Sequence, residues 1–93
     1  MHYLYIIHSL TLDSYYVGES PDIHKRLKQH NEHYFKSNFT KAATDWKISL
    51  EYECANRSEA LFLEKFIKKM KSRVFIEKVI DNPKILLDIL KRK

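Results

Sequence analysis

One glycine and two prolines in 93 residues leave this chain little freedom in how it turns. Glycine supplies positive φ and proline presets turn geometry, so a chain poor in both must consist mainly of regular elements joined by short polar turns. The apolar residues then decide what those elements are, through a period of two for strands and 3.6 for helices.

Residues 2–8, His2 to His8, form a short apolar run rich in aromatic and β-branched side chains and read as a buried strand. Thr11, Asp13 and Ser14 suit a turn, and Tyr15-Tyr16-Val17-Gly18 reads as a second strand pairing antiparallel with the first. Ser20-Pro21-Asp22 has the composition of a helix start, with Ser20 as cap, Pro21 in the first helical position and Asp22 complementing the dipole; the helix runs to about Asn31. Residues 32–45 are polar and irregular and read as a loop. In 46–54, Ile48, Leu50, Tyr52 and Cys54 alternate with Lys47, Ser49, Glu51 and Glu53, which predicts a half-exposed strand with the first set on one face. Asn56 followed by Glu59 resembles a helix cap with an acidic third position. The helix that follows, over 57–71, carries Leu63, Phe66, Ile67 and Met70 as its apolar stripe. Another helix is predicted over 73–80, and Asn82-Pro83 opens a last amphipathic one ending at Lys91-Arg92-Lys93. The order is β-β-α-β-α-α-α: an α+β fold with a small three-stranded antiparallel sheet flanked by helices. The length suits a single domain, 1–93, with a core over about 2–80 and a C-terminal helix over about 83–92.

A hydrophobic fraction of 44% and a charged fraction of 31% are those of a folded protein and argue against disorder. The net charge of +5 favours a polyanionic partner, nucleic acid or an anionic membrane surface. A single cysteine, Cys54, excludes an intrachain disulfide and fits a reducing cytoplasm. The N-terminal run lacks the form of a signal peptide, and nothing approaches the roughly 20 apolar residues of a membrane span. A cytoplasmic protein with no membrane partner is expected.

Four features carry chemistry. Arg26 and His30 lie one helical turn apart among His24, Lys25 and Lys28. They make either a phosphate site, for which the Arg fork is suited, or a solvated basic face. Glu64 sits in the apolar stretch Leu61-Phe62-Leu63-Glu64-Lys65-Phe66-Ile67, so its carboxylate needs a cation, a donor or a metal. One carboxylate with waters and substrate oxygens suits Mg²⁺; an i,i+4 pair with Lys68 is the competing reading. Tyr3 and Tyr5 share one strand face, and Tyr16 precedes the only glycine; strand tyrosines mostly serve packing. Gly18 implies positive φ or a close approach by another group. Paired zinc-ligand spacing and a phosphate-cradling glycine loop are both missing, and Cys54 in its alternating strand reads as a structural thiol.

In order, Tyr3-Leu4-Tyr5, Tyr16-Val17-Gly18, Arg26, His30 and Glu64 resemble the signature of the GIY-YIG nucleases. Arg26 comes eight residues after Gly18, and Glu64 lies in the long helix before Ile67-Lys68. The likeness covers about residues 2–80 and is nearest to the compact, stand-alone bacterial members.

The resemblance implies hydrolysis of a DNA phosphodiester with one divalent ion, Mg²⁺ or Mn²⁺, and no small-molecule cofactor. It implies Glu64 as metal ligand, Arg26 on the scissile phosphate, and Tyr5 as general base with Tyr16 orienting, or these two exchanged. It implies His30 as acceptor of the tyrosine proton or as a hydrogen-bond partner of the tyrosine. Gly18, Tyr15, Lys41, Lys68 and Trp46 are expected to contact substrate, and Lys65, Lys69, Lys71 and Arg73 either track a phosphate backbone or are solvated. Branched or otherwise structured DNA is the expected partner; the oligomeric state is open. Two departures stand out: Tyr3 in place of the first glycine, and Glu19 where repair-nuclease relatives carry lysine after the second. The alternatives are a weak or inactive nucleic-acid-binding module of the same fold, and a protein-interaction domain whose basic charge is incidental.

Overall fold

The computed structural model describes residues 1–32 and 43–92. Three strands and four helices follow in the order β1 (His2–Ser9), β2 (Ser14–Ser20), α1 (Ile23–Asn31), β3 (Trp46–Cys54), α2 (Arg57–Met70), α3 (Arg73–Asp81) and α4 (Lys84–Leu90). β1 is central, flanked antiparallel by β2 and β3, so both of its neighbours are edge strands. This is the α+β arrangement and element order expected from the hydrophobic pattern.

Alternation along β1 divides the core. Leu4 and Ile6 join Val17, Leu50 and Cys54 against Ala60, Leu63, Ile67, Val79, Leu86 and Ile89 of the last three helices. Tyr5 and Ile7 point the other way, with Ile23, Ala43 and Trp46, and Tyr3, Tyr16 and Leu27 pack around them. The sheet is therefore covered by α1 on one face and by α2 to α4 on the other.

Three local details differ from the sequence reading. The alternation of β3 does not hold throughout. Ile6 pairs with Leu50 but Ile7 with Ile48, an irregularity that inserts Ser49. An extra residue flips the strand to its other face. Leu50 and Cys54 thus join the helix-covered core, while Ile48 and Trp46 join the α1 side. The α1 cap is Asp22, not Ser20: the Asp22 carboxylate accepts from the Lys25 N–H at 3.1 Å. Ser20 still belongs to β2, and its hydroxyl bonds across Pro21 to the N–H and carbonyl of Asp22. Met70 is not part of the buried stripe of α2, being 47% exposed; Ala60 takes its place.

Other signals hold. The Asn56 side chain accepts from the Glu59 N–H at 2.9 Å, and Glu59 returns a bond to the Ala55 N–H at 3.0 Å, one residue beyond the usual reciprocal pair. Cys54 is 2% exposed, and burial pushes its thiol pKa up. The left-handed turn positions fall to Asp13 (φ 49°) and Lys71 (φ 47°), while Gly18 has ordinary negative φ. Asp13 is held by Arg73, whose guanidinium donates to its carbonyl at 2.5 Å and to Oδ1 at 2.7 Å. The start of β3 is pinned twice: Asp45 accepts from Ser9 and Thr11, and Asn31 of α1 exchanges two hydrogen bonds with the Trp46 backbone. Among the described residues no helix is long and apolar enough to cross a membrane.

Candidate active site

The site grows from the free edge of β2. Tyr16 and Gly18 pair with Ile7 and Tyr5 of β1, so these side chains share the α1 face. One turn of α1 adds Arg26 and His30. The partners from α2 come from the opposite face. Since β2 has no strand outside it among the described residues, α2 side chains reach around its edge, and the Lys68 ammonium lies 5.3 Å from the centre of the Tyr16 ring. Tyr5, Tyr16, Gly18, Glu19, Arg26, His30, Glu64 and Lys68 line one concavity of about 160 Å³.

Gly18 has a steric explanation. A Cβ there would meet the Tyr5 hydroxyl at 2.5 Å and Cζ at 2.6 Å. Tyr5 lies across the glycine, and only the absence of a side chain lets it do so. Of the two explanations for this glycine, close approach is the one observed. The Tyr5 hydroxyl then sits 2.9 Å from Nε2 of His30. Both residues are almost fully buried, at 3% and 1% exposure. Burial is the main reason the His30 pKa falls to about 4, with the Arg26 charge adding to it. The imidazole is therefore neutral near pH 7, and with Nδ1 protonated its Nε2 accepts the phenol proton. Burial also raises the Tyr5 pKa well above that of a free phenol. Tyr16, Glu64 and Glu19 push the same way, and Arg26 opposes them. Phenolate formation at Tyr5 needs more positive charge nearby than Arg26 alone supplies.

The Glu64 side chain is 18% exposed, and its Oε1 lies 3.5 Å from Lys68 Nζ. Of the two sequence readings of Glu64, the i,i+4 pair with Lys68 is the one observed, made by a carboxylate at the edge of the core. Among the described residues no group of three or more His, Cys, Asp and Glu could hold a metal ion. Among the described residues the donor set offers no cage made wholly of protein ligands. It fits an ion held by one carboxylate, with waters and substrate oxygens supplying the rest, as Mg²⁺ accepts. Glu19 reaches the same concavity with its side chain 13% exposed. His2 Nε2 stands 2.7 Å from its Oε2, though without the alignment of a hydrogen bond, and Arg57 Nε stands 3.8 Å from its Oε1. The carboxylate that stands where repair-nuclease relatives carry a lysine thus has the Arg57 guanidinium beside it.

The remaining candidates are dispersed. Tyr15 points to the other face: its ring packs against His8 at 4.7 Å and under Arg73 at 5.2 Å, and its hydroxyl donates to Glu77 at 3.3 Å. Trp46 is 2% exposed and belongs to the core, so it has no surface to offer a substrate. Lys41 and residues 33–42 as a whole lie outside the described residues. Arg73 is paired with Asp13 and Glu77. The Tyr16–Lys68 contact was not legible beforehand. It joins elements on opposite faces of the sheet around the edge of β2.

No curated protein and no solved structure matches the chain. A family model, described as the GIY-YIG catalytic domain, matches residues 1–78 of the 93. The matched span contains the whole sheet, the first two helices and every residue of the concavity, and the chain belongs to the GIY-YIG family.

Proposed function

We propose that this protein is a divalent-metal-dependent DNA endonuclease. The observation that carries the reading is the common pocket of Tyr5, Tyr16, Arg26, His30 and Glu64, drawn from two strands and two helices on both sides of the sheet. Packing alone has no need to gather two phenols, a guanidinium, a neutral imidazole and a carboxylate into so small a concavity.

Arg26 binds the scissile phosphate and offsets the charge that builds on it during attack. The water that attacks phosphorus gives its proton to a tyrosine, Tyr5 or Tyr16. Tyr5 has the better relay, since its own proton has a place to go on His30 Nε2, 2.9 Å away. Glu64 holds the ion, Mg²⁺ or Mn²⁺, and when bound that ion supplies positive charge to the phosphate and to the departing oxygen. Lys68, between Glu64 and Tyr16, binds a phosphate oxygen. DNA with a branch or other irregular structure is the proposed target, reached by charge rather than by base readout.

The test is cleavage of duplex, branched, flapped and single-stranded DNA with Mg²⁺, with Mn²⁺ and with chelator. Metal-dependent nicking is expected, lowered at least about 100-fold by Glu64→Ala and by Arg26→Ala. DNA binding without cleavage on every substrate would instead establish an inactive binding module.

A further inference from the structure

A second, larger groove of about 660 Å³ runs beside the candidate active site, between β2 and the junction of α2 with α3. The two share Tyr16 and Lys68 as a common wall. We propose that this groove is a subsite for one unpaired nucleotide of the substrate strand, next to the phosphate that is cut. The inference rests on the endonuclease reading and names what lies beside the cut.

Three observations carry it. The first is continuity: whatever occupies the groove is within one residue's width of the catalytic concavity, so a strand with its scissile phosphate there extends into it. The second is size and lining. A phosphate alone needs far less room, and this volume is in the range that holds whole small molecules. Tyr16 and Ile76, both only partly buried, give it apolar walls. Aromatic and aliphatic walls suit the flat face of a base and are indifferent to its identity. A base stacked and paired inside a duplex cannot present that face, so the occupant is unpaired. The third is charge. Lys71 lines the groove, and among the described residues it takes part in no ion pair, whereas Lys68 is paired with Glu64 and Arg73 with Asp13 and Glu77. Lys71 stands ready for the nucleotide's phosphate.

Lys69 provides the control: it is two residues away, also exposed and also basic, but it is not part of the groove. Binding is followed by fluorescence anisotropy of a labelled oligothymidylate, a blunt duplex and an abasic strand, with chelator present so that nothing is cut. The single strand is expected to bind more tightly than the duplex and about tenfold more tightly than the abasic strand. Lys71→Ala should weaken single-strand binding about fivefold and reduce the salt slope by about 0.7, while Lys69→Ala leaves both nearly unchanged. Equal effects of the two lysine variants overturn the proposal, as does a duplex or an abasic strand bound as well as the oligothymidylate. If the protein cuts DNA but the lysines are equivalent, the groove assignment fails and the nuclease stands. If it cuts nothing but prefers an unpaired strand through Lys71, the groove stands and the nuclease fails.

Discussion

On the side of the sheet covered by α2, α3 and α4, the buried layer contains Leu4, Ile6, Val17, Leu50, Leu63, Ile67, Val79 and Leu86, without a buried charge or imidazole among the described residues. On the side covered by α1, the layer contains Ile7 and Trp46 but also the Tyr5 hydroxyl and the His30 ring, hydrogen-bonded to each other. One face gains stability from apolar area alone. The other accepts the cost of burying polar groups, and this is tolerable because the two satisfy one another. The difference separates what holds the fold from what the pocket needs, and it makes the two faces respond to different perturbations.

The largest effect should come from the apolar face. Leu86→Ala removes a fully buried side chain from α4, which lends no residue to the concavity, and is expected to cost about 2–5 kcal/mol. Urea denaturation measures this. Cleavage per folded molecule should be unchanged, and a loss of cleavage would break the division between the faces.

The next effect belongs to the α1 face and to pH. The His30 pKa is lowered from 6.5 to about 4, so the unfolded chain binds the proton more readily than the folded one. Stability from this group is complete above pH 6.5 and is lost as pH falls toward 4, by at most about 3 kcal/mol. His30→Gln, which can bond to Tyr5 but cannot titrate, should flatten the melting profile across this window. A profile as steep as that of the parent would show that other groups set it. Carboxylates such as Asp45, held down to about 2 by Ser9 and Thr11, act only at lower pH.

Gly18→Ala places a methyl group where the Tyr5 hydroxyl and ring lie. Tyr5 is buried and bonded to His30, so it cannot swing aside freely; a loss of about 1–3 kcal/mol is expected, together with most of the cleavage. An alanine variant of unchanged stability would mean that the tyrosine has another place to go.

The smallest change in stability is that of Tyr5→Phe, about 1 kcal/mol for the hydrogen bond to His30. Its effect on cleavage should be far larger than on stability. Comparison with Tyr16→Phe sharpens the assignment, because the greater loss of rate marks the base.

The period-two and period-3.6 patterns determine most of this molecule. All seven elements, the division of β1 into two faces and the Asn56 cap follow from local residue chemistry, which acts within a few positions along the chain. The family signature follows as well, since Tyr5, Tyr16, Gly18, Arg26, His30 and Glu64 are ordered along the sequence. What the tertiary structure decided is long-range. The scarce glycine goes not to a turn but beneath Tyr5, while Asp13 and Lys71 take the left-handed positions. Asp13 accepts its position because Arg73, sixty residues later, binds its carbonyl and carboxylate. The irregularity in β3 sends Ile48 and Trp46 to the opposite face, because pairing with β1 overrides the strand's own alternation. Tyr15 and Tyr16 are neighbours in sequence and separated by the sheet, whereas Tyr16 and Lys68 are distant in sequence and meet around the edge of β2. Local pattern tells which way a side chain faces along its own element. It carries no information about which edge a helix will wrap, since that depends on the order in which strands pair.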